Sequence, residues 1–148
     1  MKGTPYVMRR KALLSPLGLP CNPPPWGTLA AVEAGTGKIR WQVPLGTVKE
    51  LAPVPLPVLW GTPTLGGPLT TASGLTFIGA TMDSTFHAFD SETGLELWHT
   101  KLPASAIATP MTYRARVGGR QYVVVAAGGH GKVKGVKLGD YVFAFALQ

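Results

Sequence analysis

One stretch of the sequence decides the fold: Ala88-Phe89-Asp90-Ser91-Glu92-Thr93-Gly94-Leu95-Glu96-Leu97-Trp98. An earlier copy reads Ala31-Val32-Glu33-Ala34-Gly35-Thr36-Gly37-Lys38-Ile39-Arg40-Trp41, and it keeps Ala, an acidic residue, Thr-Gly and Trp at the same spacing. Each copy predicts a strand, a tight turn and a second strand, because Asp90 can accept hydrogen bonds from turn amides and Gly94 can adopt the left-handed backbone conformation. A repeated unit that ends in an aromatic residue is typical of repeat architectures.

The composition favours β structure and argues against nucleic-acid binding. The 148 residues include 19 Gly and 14 Pro, and no stretch has helical spacing of apolar residues over three turns. The net charge of +7 raises the question of an anionic partner, either nucleic acid or a membrane surface. Because the basic residues are mostly scattered and no aromatic-basic ladder accompanies them, a solvated surface is the favoured interpretation.

The N-terminal region imitates a secretory or lipoprotein signal. Arg9-Arg10-Lys11 precedes a short apolar segment that leads to Cys21, the only cysteine. Pro16 and Pro20 interrupt that segment, and no apolar run is long enough to span a bilayer. We therefore expect no signal or transmembrane segment, and Met1 is interpreted as a truncation or an internal start.

Proline and glycine divide the chain into four predicted parts. Residues 1–26 predict a proline-rich ordered loop, and residues 27–65 predict the end of one sheet unit followed by a crossing loop. A complete four-stranded unit is predicted over 66–103, and a last unit without its closing strand over 104–148. The predicted strands lie near 27–33, 38–43, 66–71, 75–80, 85–90, 95–100, 106–113, 121–127 and 140–147.

Stacking of these units predicts an all-β fold, a partial β-propeller. Each unit is too small to bury both of its faces alone, so neighbours must pack radially on one another. The run Val123-Val124-Val125-Ala126-Ala127 is apolar without alternation, which indicates a strand covered on both faces. In a propeller a strand from the other end of the chain completes the last unit, and the proline-rich N-terminal loop cannot supply it. The exposed strand edges are expected to recruit missing blades or to self-associate.

The repeated pattern Ala-x-Asp-x-x-Thr-Gly-x-x-x-Trp resembles the tryptophan-docking motif of the eight-bladed pyrroloquinoline quinone (PQQ) dehydrogenases. Together with the segments below, it resembles the C-terminal end of membrane-bound quinoprotein glucose dehydrogenases. Those segments are Leu14-Ser15-Pro16-Leu17-Gly18-Leu19-Pro20-Cys21-Asn22-Pro23-Pro24-Pro25-Trp26-Gly27, Pro53-Val54-Pro55-Leu56-Pro57, Ala108-Thr109-Pro110-Met111-Thr112-Tyr113, Gly119-Arg120-Gln121-Tyr122-Val123-Val124-Val125 and Ala127-Gly128-Gly129-His130-Gly131. Glu33 departs from the Asp that the motif favours, which puts the turn hydrogen bond there in question.

The resemblance implies oxidation of an aldose such as glucose at its C1 hydroxyl to a lactone. PQQ would receive the electrons, a calcium or magnesium ion would polarise the quinone, and ubiquinone would be the acceptor of a membrane-associated enzyme facing the periplasm. Asp83 and His130 match family positions near the cofactor. The main catalytic base and most metal ligands are expected upstream of Met1, so the isolated chain is expected to be inactive.

Asp83 and His130 each keep a structural interpretation beside the functional one. Asp83 lies in a predicted hairpin turn, where Asp is common for capping reasons. His130 lies among glycines, where it could hydrogen-bond a quinone or carboxylate oxygen or face solvent. A non-enzymatic propeller that keeps the docking motif without the cofactor remains the alternative function.

The remaining aromatic and basic residues are interpreted as structural. Trp41 and Trp98 are predicted to pack between blades, and Trp26 and Trp60 to anchor loops or to line a sugar pocket. The other residues in question are His87 and His99, taken as ordinary strand residues, and Lys132, Lys134 and Lys137, which either face solvent or meet the carboxylates of PQQ.

Overall fold

Three antiparallel β-sheets follow one another along the chain. The computed structural model describes residues 2–9, 11–49, 59–131 and 135–146, and it contains no helix within those ranges. The nine strands of the described residues are β1 Thr28–Val32, β2 Ile39–Pro44, β3 Leu69–Thr70, β4 Leu75–Ile78, β5 Thr85–Asp90, β6 Glu96–Lys101, β7 Met111–Arg114, β8 Gln121–Ala127 and β9 Tyr141–Phe145. The first sheet is β1-β2, the second is β3-β4-β5-β6, and the third is β7-β8-β9. The all-β prediction is confirmed.

Two of the predicted strands are much shorter than expected, for reasons of backbone chemistry. The strand expected over 66–71 is reduced to Leu69–Thr70, because Gly66 has a left-handed backbone (φ 109°) and Pro68 has no amide hydrogen to donate. The strand expected over 106–113 begins only at Met111. The preceding segment is bonded elsewhere, since Ala106 accepts the backbone N–H of Ala80 at 2.7 Å.

The two copies of the sequence repeat have the same local structure, including an irregularity in strand pairing. The β1-β2 ladder shifts register between Ala31 and Val32, and the β5-β6 ladder shifts between Ala88 and Phe89, at the equivalent place of the second copy. A bulge of this kind increases local twist and redirects the following side chains. Both copies therefore present their tryptophan from the outgoing strand in the same way.

The central strand β5 is buried on both faces. Phe86 packs in a core between the second and third sheets with Leu102, Val123 and Val125. Phe89 points to the opposite face, in a core between the first and second sheets. Alternating side chains of one strand thus serve two different sheet interfaces, which is the packing expected of radially stacked sheets.

The prediction that β8 is covered on both faces is wrong for the described residues. Val123, Val125 and Ala127 are buried against the second sheet, whereas Val124 is half-buried and Ala126 is exposed. No described element packs on the face that carries Val124 and Ala126. The apolar run therefore has a second face that is available to a further sheet.

Tryptophans join neighbouring sheets, as predicted. Trp41 of β2 donates its indole N–H to the backbone oxygen of Ser91 in the β5-β6 turn at 3.1 Å. Trp98 of β6 makes edge contacts with Phe86 and with Phe145 of the third sheet, with ring centroids 6.4 and 5.4 Å apart. Each indole therefore bridges its own sheet to the next one.

The loop tryptophans anchor one another. The rings of Trp26 and Trp60 meet edge to face with centroids 5.6 Å apart, and Trp26 donates its backbone N–H to the oxygen of Trp60 at 2.8 Å. This pair ties the proline-rich N-terminal segment to the segment that precedes the second sheet. The crossing loop around Pro53, Pro55 and Pro57 lies outside the described residues.

Candidate functional site

Asp83 lies in the β4-β5 turn and is almost completely buried, with 1% of its surface exposed. Its Oδ1 accepts the Thr81 hydroxyl at 2.7 Å and the Thr85 backbone N–H at 3.1 Å. Its Oδ2 accepts the backbone N–H of Thr47 at 2.7 Å, from the segment that follows β2. Both carboxylate oxygens are therefore used by protein donors, and Asp83 ties the first sheet to the second.

Ser84, the residue after Asp83, links the β4-β5 turn to the segment that leads into the third sheet. Ser84 has a left-handed backbone (φ 58°), which is uncommon outside glycine and is kept only where the surroundings determine it. Its carbonyl accepts the backbone N–H of Leu102 at 2.8 Å. Its hydroxyl lies 3.0 Å from the hydroxyl of Ser105.

Ser105 joins the two segments that carry the predicted site residues. It is fully buried, and its hydroxyl donates to the backbone oxygen of Met82 at 3.3 Å. Its own carbonyl accepts the backbone N–H of Gly129, the residue before His130, at 2.8 Å. Through Ser105 the structure brings the Asp83 turn and the His130 loop to the same end of the sheets.

His130 is exposed in the loop between β8 and β9. The preceding Gly129 has a left-handed backbone (φ 67°), and a Cβ there would lie 2.4 Å from the oxygen of Lys137. Only glycine permits the loop to approach itself this closely. Lys137 is exposed on the returning arm of the loop, while Lys132 and Lys134 lie outside the described residues.

The two loops occupy equivalent places in successive sheets. The segment after β2 contacts the β4-β5 turn through Thr47 and Asp83. The segment after β6 contacts the β8-β9 loop through Ser105 and Gly129. Thr47-Val48 and Ala104-Ser105 follow their respective tryptophans at the same spacing. Extending the repeat alignment past the tryptophan would have shown that the second copy places the polar Ser105 where the first has Val48.

His87 and His99 form a group that the interpretation as ordinary strand residues missed. Oε1 of Glu96 lies 3.0 Å from Nδ1 of His87 and 2.8 Å from Nδ1 of His99. His87 is buried, and its Nε2 has no hydrogen-bond partner within the described residues. No cluster of three or more His, Cys, Asp or Glu side chains suited to a metal ion occurs in the part of the chain that the structure describes.

The comparison with protein families decides what kind of propeller this is. Residues 1–123 match the family described as "PQQ: Glucose/ethanol/alcohol dehydrogenase, beta-propeller domain". The chain belongs to this family. The resemblance predicted from the docking motif and the glycine-rich His130 loop is therefore confirmed at the level of the PQQ dehydrogenase family.

Two curated relatives match nearly the whole chain at the same sequence identity. A probable quinate dehydrogenase (quinone) from Xanthomonas campestris pv. juglandis is 47% identical over 151 residues, covering 99% of this chain and 19% of the relative. Quinoprotein glucose dehydrogenase A from Acinetobacter calcoaceticus is 47% identical over 150 residues, covering 99% of this chain and 18% of the relative. The chain thus spans about a fifth of the length of these PQQ dehydrogenases.

A solved structure supports the propeller assignment. The quinohemoprotein alcohol dehydrogenase from Comamonas testosteroni aligns with a TM-score of 0.56 at 27% identity, over 80% of this chain and 16% of that chain. The three sheets of this chain are therefore interpreted as part of a PQQ-dehydrogenase β-propeller.

Proposed function

We propose that this chain is the C-terminal part of a PQQ-dependent, quinone-linked dehydrogenase that oxidises an aldose of the glucose type to its lactone. The observation that carries the proposal is the 47% identity to quinoprotein glucose dehydrogenase A across 99% of the chain. In this proposal residues 66–103 are one complete blade, and residues 104–148 are a last blade that another segment completes.

A cyclic polyol acid is the second candidate substrate. The quinate dehydrogenase relative has the same identity over nearly the same length as the glucose dehydrogenase relative. Glucose in its pyranose form and quinate both present ring hydroxyls, so the family chemistry serves either one. The candidate site within this chain contains no described feature that distinguishes the two.

Among the described residues, His130 is suited to a direct contact with PQQ, whereas Asp83 is suited only to holding neighbouring segments in place. PQQ supplies an oxidising quinone and several carboxylates. His130 is exposed among glycines, where an imidazole can donate to a carboxylate or quinone oxygen. Asp83 has both oxygens bonded to protein donors, so its proposed contribution is to hold the turn and the Thr47 segment in place beside the cofactor.

Calcium or magnesium would bind mainly through upstream residues. Both ions prefer several oxygen ligands, chiefly carboxylates. The described residues contain no cluster of acidic and imidazole side chains for such an ion, and the main catalytic base is likewise assigned upstream. Within this chain the proposed roles are therefore to bind and orient PQQ through His130, and to fix the two loops through Asp83 and Ser105.

Ubiquinone is the proposed electron acceptor, and the periplasmic side of a membrane is the proposed location. Both follow from the quinone-linked relatives rather than from a feature of this chain. Among the described residues no helix is long and apolar enough to cross a membrane. Self-association or pairing with missing blades is proposed for the strand edges, and no nucleic-acid partner is proposed.

A chimaera tests the proposal directly. This chain replaces the matching segment of Acinetobacter calcoaceticus quinoprotein glucose dehydrogenase A, and in a second chimaera that of the Xanthomonas quinate dehydrogenase. We expect PQQ-dependent reduction of a ubiquinone analogue by at least one chimaera, with its activity lowered by His130→Ala and kept by His99→Ala. Folded chimaeras that bind no PQQ and turn over neither substrate would overturn the proposal in favour of a cofactor-free propeller.

A second test uses the chain alone. With added PQQ and calcium it should not oxidise glucose, because one complete four-stranded blade and two incomplete ones cannot enclose a central cofactor. Glucose turnover under these conditions would show that the catalytic base and metal ligands lie within these residues.

A further inference from the structure

The turn between β7 and β8 presents an apolar tip among arginines. We propose that this segment, residues 114–120 and here called the arginine tip, binds the surface of an anionic lipid bilayer. Val117 is fully exposed (104%), and Arg114, Arg116 and Arg120 flank it and are exposed as well. The proposal is independent of the PQQ chemistry proposed above.

The turn geometry explains why Val117 projects from the molecule. Arg116 accepts the backbone N–H of Gly119 at 3.0 Å, which closes a four-residue turn. Gly118 at its third position has a left-handed backbone (φ 69°), as a type II turn requires. A Cβ at Gly119 would lie 2.8 Å from Cγ of Arg116, so the Arg116 stem lies over the turn. The valine side chain is thus held outward at the apex by local backbone geometry.

The charge around the arginine tip is positive and uncompensated. The β7-β8 hairpin, residues 111–127, contains Arg114, Arg116 and Arg120 and no Asp or Glu. None of the three tip arginines forms an ion pair within the described ranges; Arg114 instead donates to the side-chain oxygen of Gln121 at 3.2 Å. Arginines that lack carboxylate partners are available to lipid phosphates.

Acidic groups on the neighbouring turn are already engaged. The β7-β8 hairpin and the β3-β4 turn line a common cavity of about 600 Å³, and the β5-β6 turn is bonded to Gly74 of that β3-β4 turn through Ser91. Its Glu92 pairs with Arg40 at 2.9 Å, and its Asp90 accepts the turn amides of Glu92 and Thr93. These carboxylates therefore compete little with lipid for the arginines.

An apolar apex within a basic rim favours a bilayer over a purely electrostatic partner. Nucleic-acid sites combine basic residues with aromatic stacking platforms, whereas the outermost side chain here is an aliphatic valine. An aliphatic apex can enter the boundary between head groups and acyl chains while arginines remain among the phosphates. Tyr113 and Tyr122 stack on each other with ring centroids 5.4 Å apart, but they lie on the strands behind the turn, on the face of Val124 that is available to a further sheet.

The arginine tip and the His130 loop lie at opposite ends of β8. At roughly 3.3 Å per residue, the seven residues of β8 separate them by roughly 23 Å. Lipid contact at the tip would therefore leave the His130 end in water. The surface acts as an additional contact with the membrane and does not block the candidate site.

Vesicle co-sedimentation of the purified chain tests the proposal. We expect binding to vesicles of phosphatidylglycerol and phosphatidylcholine, weakening with salt, and little binding to pure phosphatidylcholine. Each basic residue near an anionic surface contributes about fivefold to partitioning, so Arg116→Gln with Arg120→Gln should weaken binding about 25-fold. The control Lys11→Gln with Lys49→Gln removes the same charge elsewhere and should change binding about twofold or less. Val117→Ser should weaken binding in high salt, where electrostatic attraction is screened.

Several results would overturn the proposal. The first is equal loss of binding in the arginine-tip and control variants, which would indicate non-specific charge attraction. The second is displacement from vesicles by sodium phosphate at constant ionic strength, which would indicate a site for free phosphate. The third is binding to a single-stranded RNA but not to vesicles. Near-ultraviolet circular dichroism confirms that each variant remains folded.

Discussion

Trp41 donates its indole N–H to the backbone oxygen of Ser91, 50 residues later, at 3.1 Å. The ring lies over Gly94 in the same turn, so a side chain of one repeat is seated on the turn of the next. Trp98, in the second repeat, makes edge contacts with the rings of Phe86 and Phe145 and is 41% exposed. The first joint between sheets is thus formed more completely than the second.

Gly94→Ala should destabilise the chain more than Gly37→Ala. Both glycines have left-handed backbones, with φ of 75° and 69°, so both substitutions carry a conformational cost of about 1 kcal/mol. A Cβ at residue 94 would lie 2.7 Å from the Trp41 ring, whereas at residue 37 nothing lies within 4 Å. Overpacking should add about 1–3 kcal/mol for Gly94→Ala alone. Urea unfolding measures the difference, and equal losses would contradict the docking of Trp41.

Asp90→Asn should reduce the loss of stability in acid. The backbone N–H of Thr93, the Thr93 hydroxyl and the backbone N–H of Glu92 hold the pKa of Asp90 below its ordinary value of 3.8. A carboxyl whose pKa is lowered on folding stabilises the folded state above the unfolded pKa. That stabilisation is lost as the pH falls through the folded pKa. We expect the native chain to lose more stability than the variant from about pH 5 to about pH 3.

Glu33→Gln is the control for the acid experiment. Glu33 occupies the matching place in the first turn, but among the described residues its carboxylate accepts only the Thr36 hydroxyl and no turn amide. The longer side chain thus makes none of the backbone contacts that Asp90 makes, which answers the question raised by its departure from the motif. Acid profiles that respond equally to the two substitutions would refute a special role for Asp90.

Ser105→Ala should loosen the loop that carries His130. The substitution removes the hydroxyl that bonds to the Met82 carbonyl and leaves the buried Ser84 hydroxyl without its partner. Each lost hydrogen bond costs about 1 kcal/mol. Amide exchange at Gly129 should therefore become several-fold faster, while the Trp41 indole N–H remains protected. Ser73→Ala, at an exposed hydroxyl, is the matched control, and unchanged exchange at Gly129 would count against the bridging role.

Val142→Lys should reduce self-association of the chain. Strand β9 pairs with β8 on one side, and no described strand pairs with its other edge. Val142 is 71% exposed on this strand. A lysine on an edge strand opposes pairing with another chain because it would place charge in the new interface. Sedimentation velocity should show oligomers of the native chain and more monomer for the variant; a native chain that is already a stable monomer would exclude edge pairing.

The fold could be predicted from the sequence because the residues of the repeat determine its local backbone structure. Residues 88–98 fix a strand, a turn, a bulged return strand and a docking tryptophan, and all of them recur in the earlier copy over residues 31–41. The ends of strands were less predictable where the backbone hydrogen-bond partner lies far away in the sequence. Ala106 bonds to Ala80 rather than to a ladder, and no residue pattern indicates that contact.

The candidate site was predicted only in part for a similar reason. Asp83 and His130 stand in recognisable loops, but Thr47 and Gly129 act through backbone N–H groups, which every residue except proline has. Ser105 is recognisable only after its segment is aligned with Thr47-Val48. The His87 and Glu96 contact depends on the β5-β6 bulge, which places Glu96 opposite Phe89 and beside the imidazole.

Asp83→Asn should destabilise the chain by about 2–3 kcal/mol, because one orientation of the amide places N–H groups against the Thr47 N–H and the other against the Thr81 and Thr85 donors. Asp140→Asn, at an exposed carboxylate, is the control and should be nearly neutral. Urea unfolding and amide exchange at Thr47 measure the effect without PQQ. If Asp83 supports the cofactor by holding the turn, the PQQ affinity of the chimaera with quinoprotein glucose dehydrogenase A should fall in proportion to this loss of local order. A substitution that leaves the chimaera as stable as before but abolishes its PQQ binding would instead show that the Asp83 carboxylate contacts the cofactor itself.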